Sequence, residues 1–153
     1  MNEKYKNMNG NLIFKPKLFL IDTNTLSEPL RPKPDEKVLA KIKCHQYEMA
    51  TAAQVLFEMT SGYYRLPDSK RQRAIKSYIK DFIRPHLPIL PYDEKAAAWH
   101  GEQHARLIAK GKTPSFIDGQ IAAIAKVNGL ILVTRNINDF RNFEEIKLEN
   151  WFK

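Results

Sequence analysis

Four acidic residues carry the chemistry that this sequence can offer: Asp22, Glu58, Asp118 and Asp139. Asp22 directly follows the apolar run Leu18–Ile21, and Asp139 comes shortly after Leu130–Val133. Both therefore lie beyond the carboxyl ends of predicted strands, where open parallel sheets gather functional groups. Each would serve equally well as a helix cap. Glu58 and Asp118 fall within predicted helices, about 110° and about 80° from the centre of the apolar face at 100° per residue. Asp is a poor residue inside a helix, and a carboxylate at such a boundary either reaches out to water or points into a cleft. If the four converge, like charges raise one another's pKa unless a cation neutralises them. Oxygen-only ligands select a hard ion, Mg²⁺ or Mn²⁺. Such an ion activates water and stabilises the charge that develops on a phosphodiester. The spacing leaves convergence open; the residue types set the chemistry.

Positioning these acids requires alternating strands and helices. Leu18–Ile21 predicts a buried parallel strand, and Thr23–Leu30 the opening of a helix. Pro29, Pro32 and Pro34 break the chain into a loop before a short helix over 36–43, capped by Asp35. Tyr47–Ala50 is a weak second strand, and Thr51-Ala-Ala-Gln54 has capping-box spacing ahead of a helix from about 52 to 65. A basic helix starts at Asp68 or Ser69 and is expected to end before Pro85. Leu87–Leu90 reads as an edge strand. Asp93 caps a helix reaching Lys110, and Thr113 with Pro114 opens another that runs to Asn128. Leu130–Val133 is a strand, and Ile146 with Leu148 a last edge strand. The alternation predicts an α/β sandwich around a mostly parallel sheet.

Composition narrows the function classes. The 153 residues suit one domain, and 43% hydrophobic content suffices for a core. The apolar runs are far shorter than the roughly 20 residues of a membrane helix, and the start lacks the apolar stretch of a secretory signal. The expectation is a cytoplasmic protein with no membrane association. Cys44 is the single cysteine, which excludes an internal disulfide and a thiolate metal cage. Lys and Arg number 25 against 17 Asp and Glu, a net charge of +8. The excess is segmental. Residues 65–84 hold Arg65, Lys70, Arg71, Arg73, Lys76, Lys80 and Arg84 against Asp68 and Asp81, and residues 1–17 hold four Lys against Glu3. Such a helix is either a solvated face or a track for a phosphate backbone or an acidic partner.

Other motifs carry less. His100 and His104 have the i, i+4 spacing of zinc ligands but no H-E-x-x-H order and no evident third ligand, so they read as a polar surface stripe. Gly111-Lys112-Thr113 resembles the end of a phosphate loop, yet Arg106 replaces its first glycine and a helix precedes it. Cys44 and His45 are adjacent on a helix and so diverge by about 100°. Trp99 and Trp151 are expected in the core or an interface.

The segments FLIDTNTLSE (19–28), ATAAQVLFEMTSG (50–62), PSFIDGQIAAIA (114–125) and LVTRNINDF (132–140) resemble, in this order, the PIN-domain family and more narrowly the VapC toxins of toxin–antitoxin pairs. The resemblance implies a three-layer α/β/α fold over residues 18–153, with residues 1–17 as an N-terminal extension: a basic arm, or a segment ahead of an alternative start at Met8. It implies a Mg²⁺-dependent (Mn²⁺ as alternative) endoribonuclease toxin that cuts tRNA or another RNA of translation. Asp22 and Asp118 would be the principal metal ligands, with Glu58 completing the cluster. Relatives place an acid at the position of Asn136; here Asp139 is taken as the fourth acid. Asn24 and Thr134 would give supporting hydrogen bonds. A homodimer is implied, together with a cognate VapB-type antitoxin whose basic side chain enters the cleft. The alternatives are a PIN-type RNA-maturation nuclease, a nucleic-acid-binding module that does not cut, and a small interaction protein whose acids are caps and surface residues.

Overall fold

The chain opens with two antiparallel strands, β1 (Asn2–Lys6) and β2 (Leu12–Pro16), which pair with each other. The computed structural model describes the backbone of these ten residues and the whole of residues 17–153; Met1 and residues 7–11, Met8 among them, lie outside the described residues.

The next strand, β3 (Phe19–Ile21), is apolar on both faces because both are covered: all three residues are buried. It is the middle of a five-stranded sheet of order β5-β4-β3-β6-β7, with β4 (Met49–Ala52), β5 (Ile89–Leu90), β6 (Ile131–Val133) and β7 (Leu148–Glu149). Every pairing in it is parallel. After β3 the chain builds outward on one side through β4 and β5, then returns to lay β6 on the other side of β3. The order therefore reverses between β3 and β6, which makes the crevice beyond their carboxyl ends the favoured site position. Ile21 lies opposite Val133, so the next residues, Asp22 and Thr134, emerge side by side.

Helices cover both faces, completing the three-layer α/β architecture. They are α1 (Thr23–Leu26), α2 (Glu36–His45), α3 (Ala53–Tyr64), α4 (Lys70–Tyr78), α5 (Arg84–His86), α6 (Glu94–Ala109), α7 (Phe116–Val127) and α8 (Ile137–Phe140). No described helix is long and apolar enough to cross a membrane. Asp35, Ser69 and Asp93 cap α2, α4 and α6 by accepting from backbone N–H groups of the first turn. Trp151 is core, with its indole edge-on to Phe19 at 5.3 Å, and Trp99 packs against Phe143.

Several local expectations are corrected. The second strand begins two residues late, at Met49, because Tyr47 is exposed in the preceding turn. Thr51 does not cap α3: its hydroxyl is buried and donates to the carbonyl of Ile21 at 2.8 Å, so the inter-strand bond outcompetes the capping box. The basic helix does not stop before Pro85. A π turn over Ile79–Ile83 widens it and carries the chain into α5 through Pro85, which has no N–H to place and whose ring needs the extra room. Ser115, not Thr113, caps the helix of Asp118, accepting from the Asp118 N–H at 3.1 Å. His100 is not on the surface. It is 2% exposed, wedged between α6 and α7, and hydrogen-bonded through Nδ1 to the Tyr92 hydroxyl at 2.8 Å. Burial, and secondarily His104, holds its pKa below the usual histidine range.

Candidate functional site

Asp22 ends β3 and is buried, 8% exposed. One carboxylate oxygen accepts from the Thr23 N–H at 2.8 Å, capping α1; the other accepts from the Thr134 hydroxyl at 2.8 Å. The two readings of this acid are thus both true, since a carboxylate has lone pairs enough for a cap and a site. Thr134 is completely buried, and its oxygen also accepts from the Asn136 N–H at 3.1 Å. That clamp ties the end of β6 to the end of β3.

Glu58 projects from α3 toward the same place, accepting at 3.2 Å from the hydroxyl of Thr23. Asp118 is the third residue of α7, in its first turn, because the helix starts at Phe116. An acid there is favoured by the helix dipole, so its helix position is not the anomaly that a longer helix would make it. Asp139 lies exposed in α8.

The four carboxyl groups are electrostatic neighbours. Burial, then repulsion from Asp118 and Asp139, raises the pKa of Asp22 against the lowering effect of its two hydrogen bonds. Burial chiefly, and the charges of Asp22 and Asp118, raise Glu58. Burial and Asp139 raise Asp118. Three carboxyl groups raised chiefly by burial, and further by neighbouring carboxylates, form a site that a cation would relieve. The donor set is all oxygen, which suits Mg²⁺ or Mn²⁺. No three acids, histidines or cysteines among the described residues stand close enough to form a ready-made cage. The fit is therefore to an ion that takes one or two carboxylates and keeps water in the rest of its shell, as Mg²⁺ does.

The flanking residues divide. Asn24 turns its side-chain oxygen to the Arg135 N–H and the Thr25 hydroxyl, both at 3.4 Å, and lines a cavity of about 470 Å³ with Arg31, Gly62 and Arg71. Arg71 brings the basic α4 to the edge of the site. Asn136 caps nothing with its side chain and instead lines a second cavity, of about 440 Å³, whose rim carries Asp139. A third, of about 480 Å³, has Asp118, Asp139 and Lys112 in its wall.

Sequence reasoning passed over Thr23, Ser115 and Glu28. Thr23 bridges Asp22 and Glu58, and nothing in its type announces this. Ser115 was legible, because Ser115-x-x-Asp118 has capping-box spacing. Glu28, 4% exposed, belongs to the first motif but not to the acidic group; it accepts from the Asp35 N–H at 3.0 Å and pins the proline-rich loop.

Comparison with known proteins agrees with this geometry. The PIN domain family model matches residues 19–146. Over 126 residues the chain is 33% identical to toxin FitB of Neisseria gonorrhoeae, covering 80% of this chain and 91% of that one. It is 30% identical over 133 residues to the tRNA(fMet)-specific endonuclease VapC of Salmonella typhimurium, covering 87% and 97%. The crystal structure of FitAcB from Neisseria gonorrhoeae superposes with a TM-score of 0.81 at 31% identity, covering 88% of this chain and 99% of the other. This chain, with acidic residues at the switch point of a parallel sheet and a family-model match from its first central strand almost to its last, belongs to the PIN domain family.

Proposed function

We propose that this protein is a VapC-type toxin, an endoribonuclease that hydrolyses phosphodiester bonds of RNA with Mg²⁺ as its cofactor. The observation that carries the reading is geometric: Asp22 is clamped to Thr134 where β3 and β6 end, Thr23 links Asp22 to Glu58, and Asp118 and Asp139 share a cavity wall, with Asp118 and Asp139 near enough to raise the Asp22 pKa. Asp22 and Asp118 hold the ion. When bound, the ion activates water and neutralises charge developing at phosphorus. Thr134 fixes the Asp22 carboxylate, and Thr23 holds Glu58 where it can orient water or accept a proton. Asp139 adds charge at the rim, and Asn24 braces the loop after β6. The similarity to a chain named a tRNA(fMet)-specific endonuclease supports tRNA, or another translation RNA, as substrate. The similarity to toxin FitB and to FitAcB supports a cognate antitoxin of the VapB type. A homodimer accords with Phe57 and Tyr64, 60% and 70% exposed and seven residues apart on the outer side of α3.

Purified protein is expected to cut RNA with Mg²⁺ or Mn²⁺ and to stop in excess chelator. Cleavage that survives chelation contradicts the metal assignment, and protein that binds RNA without cutting it under any divalent ion contradicts the enzyme. Expression is expected to arrest growth, relieved by co-expression of the neighbouring reading frame.

The Thr134 clamp has its own signature. Thr134→Val removes a hydrogen bond that favours the ionised Asp22, so the carboxyl pKa rises further. Metal competes with protons for that carboxylate. The acid limb of the pH–rate profile is expected to move to higher pH. An unmoved limb would reduce Thr134 to a packing residue.

A further inference from the structure

Beside Asp139, between the loop after β6 and the carboxyl-terminal turn, Arg135, Asn136, Asn138, Asn150 and Lys153 line the cavity of about 440 Å³. Its make-up differs from the rest of the site. Two cations and three carboxamides meet there, with one carboxylate at the rim. The volume is within the roughly 300–1,000 Å³ of small-ligand sites. Neither Arg135 nor Lys153 makes an ion pair among the described residues. The Arg135 guanidinium is nonetheless placed: it stacks 4.7 Å from the centre of the Phe152 ring, while the Arg135 backbone N–H donates to the Asn24 side-chain oxygen at 3.4 Å. Phe152 is in turn held by its N–H bond to the Asn150 oxygen at 2.9 Å, which leaves the Asn150 amide hydrogens as donors into the cavity's surroundings.

We propose that this cavity is the subsite for the nucleotide adjoining the scissile phosphate of a single-stranded RNA, a reading that rests on the nuclease function above. Arg135 and Lys153 take its phosphate, and the carboxamides of Asn136, Asn138 and Asn150 meet the edge of its base. An acidic centre repels the polyanion it must cut, so cations have to stand immediately beside it, and here they do. Carboxamides offer both a donor and an acceptor, as an unstacked base requires, whereas an acidic peptide would need donors alone. A guanidinium packed on an aromatic ring is preorganised for a phosphate. Arg135 thus binds substrate directly but touches neither the acids nor the bond that breaks.

The test uses fluorescence anisotropy with a labelled single-stranded oligoribonucleotide in chelator, beside cleavage kinetics in Mg²⁺. Arg135→Ala is expected to raise Kd and KM about tenfold with kcat little changed, and to reduce the slope of log K against log salt by about 0.7, the loss of one phosphate contact on a single strand. Arg135→Lys keeps the salt slope but not the full affinity. Asn150→Ala is expected to alter the preference among homopolymeric oligonucleotides. Unchanged Kd, KM and salt slope in Arg135→Ala overturn the subsite. So does a variant that binds RNA like the wild type but has lost affinity for polyglutamate, which would make the cavity a protein-docking site. If the wild type never cleaves while Arg135→Ala still weakens RNA binding, the nuclease reading falls and the RNA contact stands.

Discussion

Asp118→Asn is expected to abolish RNA cleavage while raising the melting temperature of the metal-free protein. The activity loss follows from the carboxylate's proposed role. A bound divalent ion lowers the barrier by several kcal/mol, and each 1.4 kcal/mol or so is about a factor of ten. A loss on the order of 10³ or more is therefore expected, with Asp22→Asn equivalent. The stability gain has the opposite cause. Asp118 has its pKa raised in the fold by burial and by Asp139, so the folded protein binds a proton more readily than the unfolded chain does. Its stabilising contribution is fully present below the unfolded value, near 3.8, and is lost as pH rises through the raised folded value. At neutral pH the charged carboxylate is a liability that Asn removes; below pH 3.8 or so the substitution should be neutral. The group is only half-buried, and solvent screens the effect. Since about 1 kcal/mol moves the midpoint of a 150-residue domain by roughly 2–4 °C, the gain should be on the order of 1–3 °C. Calorimetry at neutral and acid pH, with and without Mg²⁺, reads it. A clear loss of stability at neutral pH without metal would make Asp118 a structural cap, and persistent cleavage by both variants would end the catalytic assignment.

Gly119→Ala is expected to damage both fold and activity through a single methyl group. Gly119 of α7 faces His100 of α6: a β-carbon there would collide with the Nε2 side of the His100 imidazole. The ring cannot retreat, because Tyr92 holds Nδ1 from the other side and the residue is buried. Overpacking of this kind costs about 1–3 kcal/mol, or roughly 2–12 °C in melting temperature at this size. The strain also falls on the residue next to Asp118. A displacement of about 1 Å at a reacting centre can cost on the order of 10²-fold in rate. His100→Ala alone leaves a cavity and strips Tyr92 of its partner, but it also clears the space that the methyl group added by Gly119→Ala needs. The double variant should consequently be more stable than the sum of the two single losses, a coupling that a thermodynamic cycle measures. Wild-type stability and rate in Gly119→Ala would mean that the two helices can part without consequence.

That contact shows where reading residues in order stops working. His100 and His104 at i, i+4 were expected on the surface, and nothing local opposes that reading. The imidazole is buried because α7 presents a residue with no side chain against it, a pairing across a helix hairpin that no spacing rule on either helix contains. Thr51 is similar. Its capping-box spacing is real, but the carbonyl of Ile21 on the neighbouring strand offers a better acceptor than the helix end does. Pro85 stops an ordinary helix; here a π turn absorbs it.

What the sequence determined by itself was the set and order of the main elements after residue 17; the antiparallel pair β1 and β2 was not among them. The apolar runs Leu18–Ile21 and Leu130–Val133 point to burial on both faces in a parallel sheet between helices, although Leu18 itself stays exposed ahead of β3, and the caps Asp35, Ser69 and Asp93 act through bonds to their own first turns. These are local or one-dimensional constraints, so they survive without knowledge of neighbours. The types of the four acids likewise set the chemistry that a site could perform. Only the tertiary structure decided that their charges act on one another. Parallel strands in the order β5-β4-β3-β6-β7 bring Asp22 beside Thr134, 112 residues later in the chain, and the burial and repulsion that raise three carboxyl pKa values exist only once folding has closed those distances. Coulomb energy depends on separation in space, and separation along the chain does not encode it.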